Sequence, residues 1–223
     1  MDTPELNTFA DDPLVQAVTA YVKEYMSKYD ASHDWSHILR VVGLARYIYS
    51  KSENRADLDL RVIQLAALLH DVGDRKYSSP STPPSISSLL LTHNCPPPLA
   101  TKIQTIVHSI SYTTETQNPS QTLSILSQHP ELGVVQDADR LDALGAIGLG
   151  RMFTYGGAKT GRCMDESMQH VDEKLLKLEG MAKTEVGREL MRERTERLRV
   201  FQGWWVEERG FALAVGEGEE GSR

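Results

Sequence analysis

The sequence predicts an all-α fold of about eight helices, on three observations. Apolar residues recur at three- and four-residue spacing in one segment after another. No stretch shows the apolar–polar alternation of a half-buried strand. Helix punctuation (Asp or Ser starts, proline in first turns, glycine at ends) falls between those segments. With 223 residues, 40% of them apolar, the chain can bury a core without disulfides.

Residues 1–11 read as a frayed tail. Asp12-Pro13 starts the first helix, an N-cap followed by proline at the first helical position. Leu14, Val15, Val18, Tyr21, Val22, Tyr25 and Met26 share one face, and the helix should end near Tyr29-Asp30. After ASHDWS, a second helix carries Ile38, Val41, Val42, Ala45, Ile48 and Tyr49, with Asp34 or Ser36 as its cap. KSENRAD is a polar link. The third helix, from about Asp59 to Val72, is apolar on most sides and should be central, with Gly73 suited to its end.

YSSPSTPPS is a loop by composition, and so is TTETQNPSQ. Between them SISSLLLTHN and PPPLATKIQTIVHSISY read as two helices, the second with Leu99, Ile103, Ile106, Val107 and Ile110 on one face. Pro130 to about Phe153 is helical, interrupted by glycines. YGGAKTGR reads as an exposed basic loop. One helix follows around Glu166–Leu178 and a long charged one around Thr184–Glu208. The resulting organisation is one domain over residues 12–210, with a motif-bearing core at 30–160, a helical extension at 161–210, and disordered tails at 1–11 and 211–223.

Acidic residues outnumber basic ones by 31 to 24, a net charge of −7, which disfavours a nucleic-acid scaffold. Two cysteines, Cys95 and Cys163, show no framework spacing and suit a reduced setting. The start MDTPELNTFADDP lacks the basic and apolar regions of a signal peptide, and no apolar run approaches membrane-span length. A cytoplasmic protein is expected, with a nuclear one equally compatible. The Glu/Arg-dense C-terminal helix reads as a solvated cover for the core and leaves a homodimer seam open.

Three segments carry chemistry. LAALLHDVGD, residues 65–74, sets His70-Asp71 at the end of an apolar helix, where ionisable groups are costly unless paired or bound to metal. A histidine at the helix dipole with a turn-capping aspartate explains the same residues more plainly. HDWSHILRVVGLA, residues 33–45, places His33 and His37 four apart, as metal-binding pairs are, although both could simply sit at a helix start. VVQDADRLDALGAIGLGR, residues 134–151, threads Asp137, Asp139 and Asp142 through an apolar helix. Such carboxylates are often caps or surface pairs, but one facing a shared core with histidine helices needs a cation to balance it.

His37, then His70-Asp71, then Asp139 resembles the ordered H…HD…D signature of the HD-domain phosphohydrolase superfamily. The likeness extends to HDWSHILRVVGLA, AALLHDVGD and DADRLDALGAIGLGR, covers roughly residues 15–160, and is strongest with small stand-alone nucleotide pyrophosphohydrolase-like members. The resemblance implies an HD-type helical bundle with His37, His70, Asp71 and Asp139 as metal ligands. It implies one divalent ion: Mn²⁺, Fe²⁺, Co²⁺, Ni²⁺ or Zn²⁺, with Mg²⁺ less suited to two imidazoles. It implies hydrolysis of a phosphoester or phosphoanhydride in a small nucleotide, Asp71 orienting the water and Asp74 serving as acid or base. Lys76, His108, Arg140 and Lys159 are the candidate substrate contacts, with Arg75 and Arg162 behind them, and each has a solvated-surface alternative. The roles of His33, His93 and His108 stay open; His129 and His170 read as surface residues. A non-catalytic, metal-stabilised nucleotide-binding module would use the same ligands.

Overall fold

A computed structural model describes residues 12–28, 34–73 and 85–216, with side chains described up to residue 211. Every regular element among them is helical: α1 (Pro13–Met26), α2 (Trp35–Lys51), α3 (Leu60–Leu69), α4 (Ile86–Thr92), α5 (Pro97–His108), α6 (Tyr112–Gln117), α7 (Pro119–Gln128), α8 (Glu131–Asp142), α9 (Gly145–Tyr155), α10 (Met164–Glu173) and α11 (Glu185–Gly216), with short 3₁₀ and π turns between them. Among the described residues no helix is long and apolar enough to cross a membrane.

The all-α expectation holds, with eleven α-helices in place of about eight. Two of the extra helices arise at TTETQNPSQ, expected as a loop: α6 takes its first half, and α7 starts in it and runs on to Gln128. Ser111 caps α6 by accepting the Thr114 N–H, and Pro119 sits at the start of α7. The third comes from a break inside the expected Pro130–Phe153 helix. There α8 ends at Asp142 and the chain turns at Gly145, whose φ of 69° favours glycine. Gly148 then lets α9 close on that turn, since a Cβ on it would meet the Ala143 carbonyl oxygen at 2.1 Å.

The first helix begins as the sequence predicts, with the Asp12 carboxylate accepting the N–H groups of Leu14 and Val15. Asp34, not Ser36, caps α2 by accepting the His37 N–H. That cap fixes where α2 starts and therefore which way His37 points. Every residue of α3 from Val62 to Leu69 is buried, as expected of a helix apolar on most sides, and the one polar residue among them, Gln64, accepts from Arg46. It packs on α1, α2, α5 and α8, while α2 lies along α8. The chemistry-bearing ends of α2, α3 and α8 are thereby held to one another by the core itself. α11 packs on α8 and α9, and α10 on α9.

The three aspartates of α8 do three different jobs. Asp137 is fully buried and accepts the backbone N–H groups of Lys183 and Thr184 and the Thr184 hydroxyl, which pins the start of α11 to α8. Asp139 and Asp142 turn the other way, towards the site.

Candidate metal centre

The site is built where α2, the end of α3 and α8 meet. His37 comes from the first turn of α2 and His70 caps the C-terminal end of α3. Asp71 lies in the turn that follows, and Asp139 in the third turn of α8. The two imidazole Nε2 atoms are 3.0 Å apart. Asp71 Oδ2 lies 3.3 Å from His37 Nε2 and 3.5 Å from His70 Nε2. Asp139 Oδ1 lies 3.7 and 3.6 Å from the same two atoms. The ligand atoms of His37, His70 and Asp71 fall within 4.8 Å of one another, a group able to hold a metal ion. Asp139 stands at the solvent side, its side chain 31% exposed against 1% for His37.

The far nitrogens of both rings are already committed. His37 Nδ1 donates to Asp142 Oδ2 at 2.7 Å, and His70 Nδ1 donates to the Ala67 carbonyl at 2.8 Å. With the proton on Nδ1, each neutral ring aims its Nε2 lone pair inward. Two lone pairs and two carboxylates thus converge on one point, an arrangement that repels itself unless a cation balances it. Two nitrogens and two oxygens suit a borderline divalent metal, and the Nδ1 partners supply the outer hydrogen bonds that metal-binding histidines need. The residues present fit such an ion.

Asp142 is the hub behind the cluster. It is buried, and besides His37 it accepts from Arg40 Nε at 2.7 Å, Arg40 Nη2 at 3.0 Å and Arg151 Nη1 at 3.0 Å. Burial alone would raise its pKa, but the bonds from His37 and Arg40 and the Arg151 charge hold it well below the usual carboxylate range. Burial pushes the His37 pKa down, yet the hydrogen bonds to Asp142 and Asp71 outweigh it and raise the value to about 8. A proton on His37 therefore competes with a metal ion for the same point. In the metal-free protein that proton stabilises the fold below about pH 6.5, and the contribution is lost as pH rises through about 8. Metal affinity should run the other way, rising about tenfold per pH unit until His37 is neutral and then levelling off. Titration calorimetry with Mn²⁺ at a series of pH values checks this; a flat profile below pH 8 would remove His37 from the site.

The cluster opens into a cavity of about 440 Å³. Its lining includes Arg140, Arg151, Arg162, His170 and Lys174. The sequence-predicted contacts fare unevenly. Arg140 reaches the wall, but its guanidinium donates to the Met181 carbonyl and pairs with Glu115, which also binds Lys183. His108 is not brought to the cavity: the register that buries Ile106, Val107 and Ile110 points it into solvent. Lys159 is not among the lining residues either, because YGGAKTGR is no simple loop. It forms a π turn, Gly156–Thr160, with Gly156 turned inward against Ser167 and Lys159 outward. Thr160 and Arg162 line the cavity instead. His170, expected at the surface, is half-buried in the wall, where burial and then the Lys174 charge lower its pKa. His33, Asp74, Arg75 and Lys76 lie outside the described residues. Asp142, Arg40 and Arg151 went unassigned, although Asp142 follows Asp139 by three residues and Arg40 follows His37 by three.

Comparison with known proteins agrees with this geometry. A model of the HD domain matches residues 34–144, which contain all four candidate ligands. The Bacillus subtilis protein YpgQ is 35% identical over 185 residues, covering 80% of this chain and 85% of its own. A crystal structure of YpgQ in complex with ADP superposes with a TM-score of 0.69 at 29% identity, over 87% of this chain and 94% of that one. An HD-superfamily hydrolase from Bacillus thuringiensis superposes with a TM-score of 0.58 at 29% identity, over 88% and 96% of the two chains. The helical frame, the converging imidazoles and carboxylates and these likenesses lead to one conclusion: the chain belongs to the HD domain family.

Proposed function

We propose that the protein is a metal-dependent phosphohydrolase acting on a small nucleotide, with His37, His70, Asp71 and Asp139 as the metal ligands. The observation that carries this reading is the convergence of two inward-facing Nε2 lone pairs and two carboxylates at the wall of a cation-lined cavity. A divalent ion held there would supply Lewis acidity towards a water and the phosphoryl group. Asp71 and Asp139, besides holding the ion, would orient that water by accepting hydrogen bonds from it. Arg151, anchored on Asp142, presents positive charge beside the ligands for the phosphate oxygens. Asp74 and Lys76 follow the cluster directly in sequence and keep their assignments as acid or base and as phosphate contact. The nucleotide class is supported by the ADP bound to YpgQ.

Elemental analysis of the purified protein tests the reading, followed by phosphate and pyrophosphate release across a nucleotide panel with Mn²⁺, Co²⁺, Ni²⁺ and Mg²⁺. We expect about one bound ion per chain. Release from at least one nucleotide should vanish on chelation and return with Mn²⁺. A metal-loaded protein that binds nucleotides and releases nothing from any of them is a binding module instead.

A further inference from the structure

Most of the cavity wall is not built from the candidate ligands or from Arg151. One stretch comes from the start of α6, where Tyr112 is half-buried, and another from Lys174, just past the end of α10. The two are brought together: Lys174 Nζ sits over the Tyr112 ring, 5.0 Å from its centroid. Tyr155, at the end of α9, lines the same cavity, as do the apolar side chains of Met152 and Leu175. Nothing in the phosphoryl chemistry uses an aromatic face or an apolar wall, and a phosphoryl group fills only a small part of about 440 Å³. What such a wall recognises is a flat ring. An aromatic side chain stacks on any nucleobase, and an ammonium beside it donates to nitrogen or oxygen acceptors on the base edge.

We propose that Tyr112 and Lys174 form the base-recognition wall of this cavity: the Lys174 ammonium, over the Tyr112 ring in the empty cavity, swings to the edge of the nucleobase as the base takes its place on the ring. The proposal rests on reading the cavity as a nucleotide site. It assigns to α6 and to the turn after α10 the selection of the substrate's base, while α2, α3 and α8 act on its phosphate. The elements that select the base can therefore vary without disturbing the metal ligands. α6 is itself held firmly, since Glu115 on it pairs with Arg140 of α8 and with Lys183.

The test is calorimetric binding of ADP and, separately, of inorganic pyrophosphate to the Mn²⁺-loaded protein. Tyr112→Leu keeps an apolar side chain against the core and removes the ring; it should weaken ADP about tenfold. Tyr112→Phe should stay within about twofold of wild type, because the face and not the hydroxyl is used. Pyrophosphate affinity and Mn²⁺ content should not change in either. Lys174→Met should weaken ADP and leave pyrophosphate alone; equal loss of both would make Lys174 a phosphate contact and overturn its assignment. Wild-type affinity for ADP in Tyr112→Leu overturns the stacking role. So does a wild-type protein that binds ADP no better than pyrophosphate. Failure of the hydrolase reading shows elsewhere, as no phosphate release from any nucleotide, and the ADP titration still decides this proposal.

Discussion

Asp71→Ala should lose bound metal and at least a thousandfold in turnover while the metal-free fold persists. The reasoning starts from where the residue sits. Asp71 follows α3 and adds no apolar surface to the core, so its loss opens no cavity among the buried leucines. Its Oδ2 is instead the carboxylate oxygen nearest to both inward imidazole nitrogens. Removing it takes the one carboxylate out of the group whose ligand atoms lie within 4.8 Å of one another, and leaves the two imidazoles with only the more distant, partly exposed Asp139. Lewis-acid activation is worth about 4 kcal/mol of transition-state stabilisation, or roughly a thousandfold in rate. Three measurements check this together: metal content, turnover, and the rise in Tm that Mn²⁺ gives the wild type. That rise should vanish in the variant while the Tm of the metal-free protein changes little. Normal turnover with normal metal content would show that Asp71 is not a ligand.

The parts of this molecule that were legible in its sequence are those where one local signal settles the outcome. Asp12-Pro13 states a helix start in two residues, and α3 states its central place by being apolar on most sides. The candidate ligands were legible for a different reason, since His37, His70-Asp71 and Asp139 come in the order, and in the helical settings, of a known family signature. What stayed hidden depends on partners distant in the chain. α6 and the first turn of α7 look like a loop because they carry no apolar stripe; the residues with which α7 packs on the core, Thr122, Ile125 and Leu126, all follow that segment. α6 is secured through Glu115, whose partners Arg140 and Lys183 lie far along the sequence. Lys159 and Arg162 sit in one glycine-rich basic stretch, which does not say which of them reaches the cavity. The π turn decides between them, and its wide winding has no simple residue signature. Asp142 was visible as the third aspartate of α8, but its role needs Arg40 and Arg151 in view at the same time.

Asp142→Asn should give the opposite pattern to Asp71→Ala, a less stable protein that still binds metal, but weakly. The substitution keeps the shape and removes the charge. An amide oxygen can accept from His37 Nδ1 or from an arginine, but it cannot serve His37, Arg40 and Arg151 at once, and its NH₂ group meets donors. Breaking a buried charge cluster from one side costs about 3–5 kcal/mol. Arg40 is 34% exposed and finds water, so the loss here should fall to about 2–3 kcal/mol. Denaturant unfolding of the metal-free protein measures it. Metal affinity should drop about 10- to 100-fold, because His37 loses the partner that fixes its tautomer and orientation. General destabilisation could mimic that drop, so the pH profile is the deciding readout. With Asp142 neutral, the His37 pKa should fall from about 8 towards its ordinary 6.5, and the pH at which metal affinity levels off should move down with it. A merely structural role would lower the whole affinity curve and leave that pH where it is.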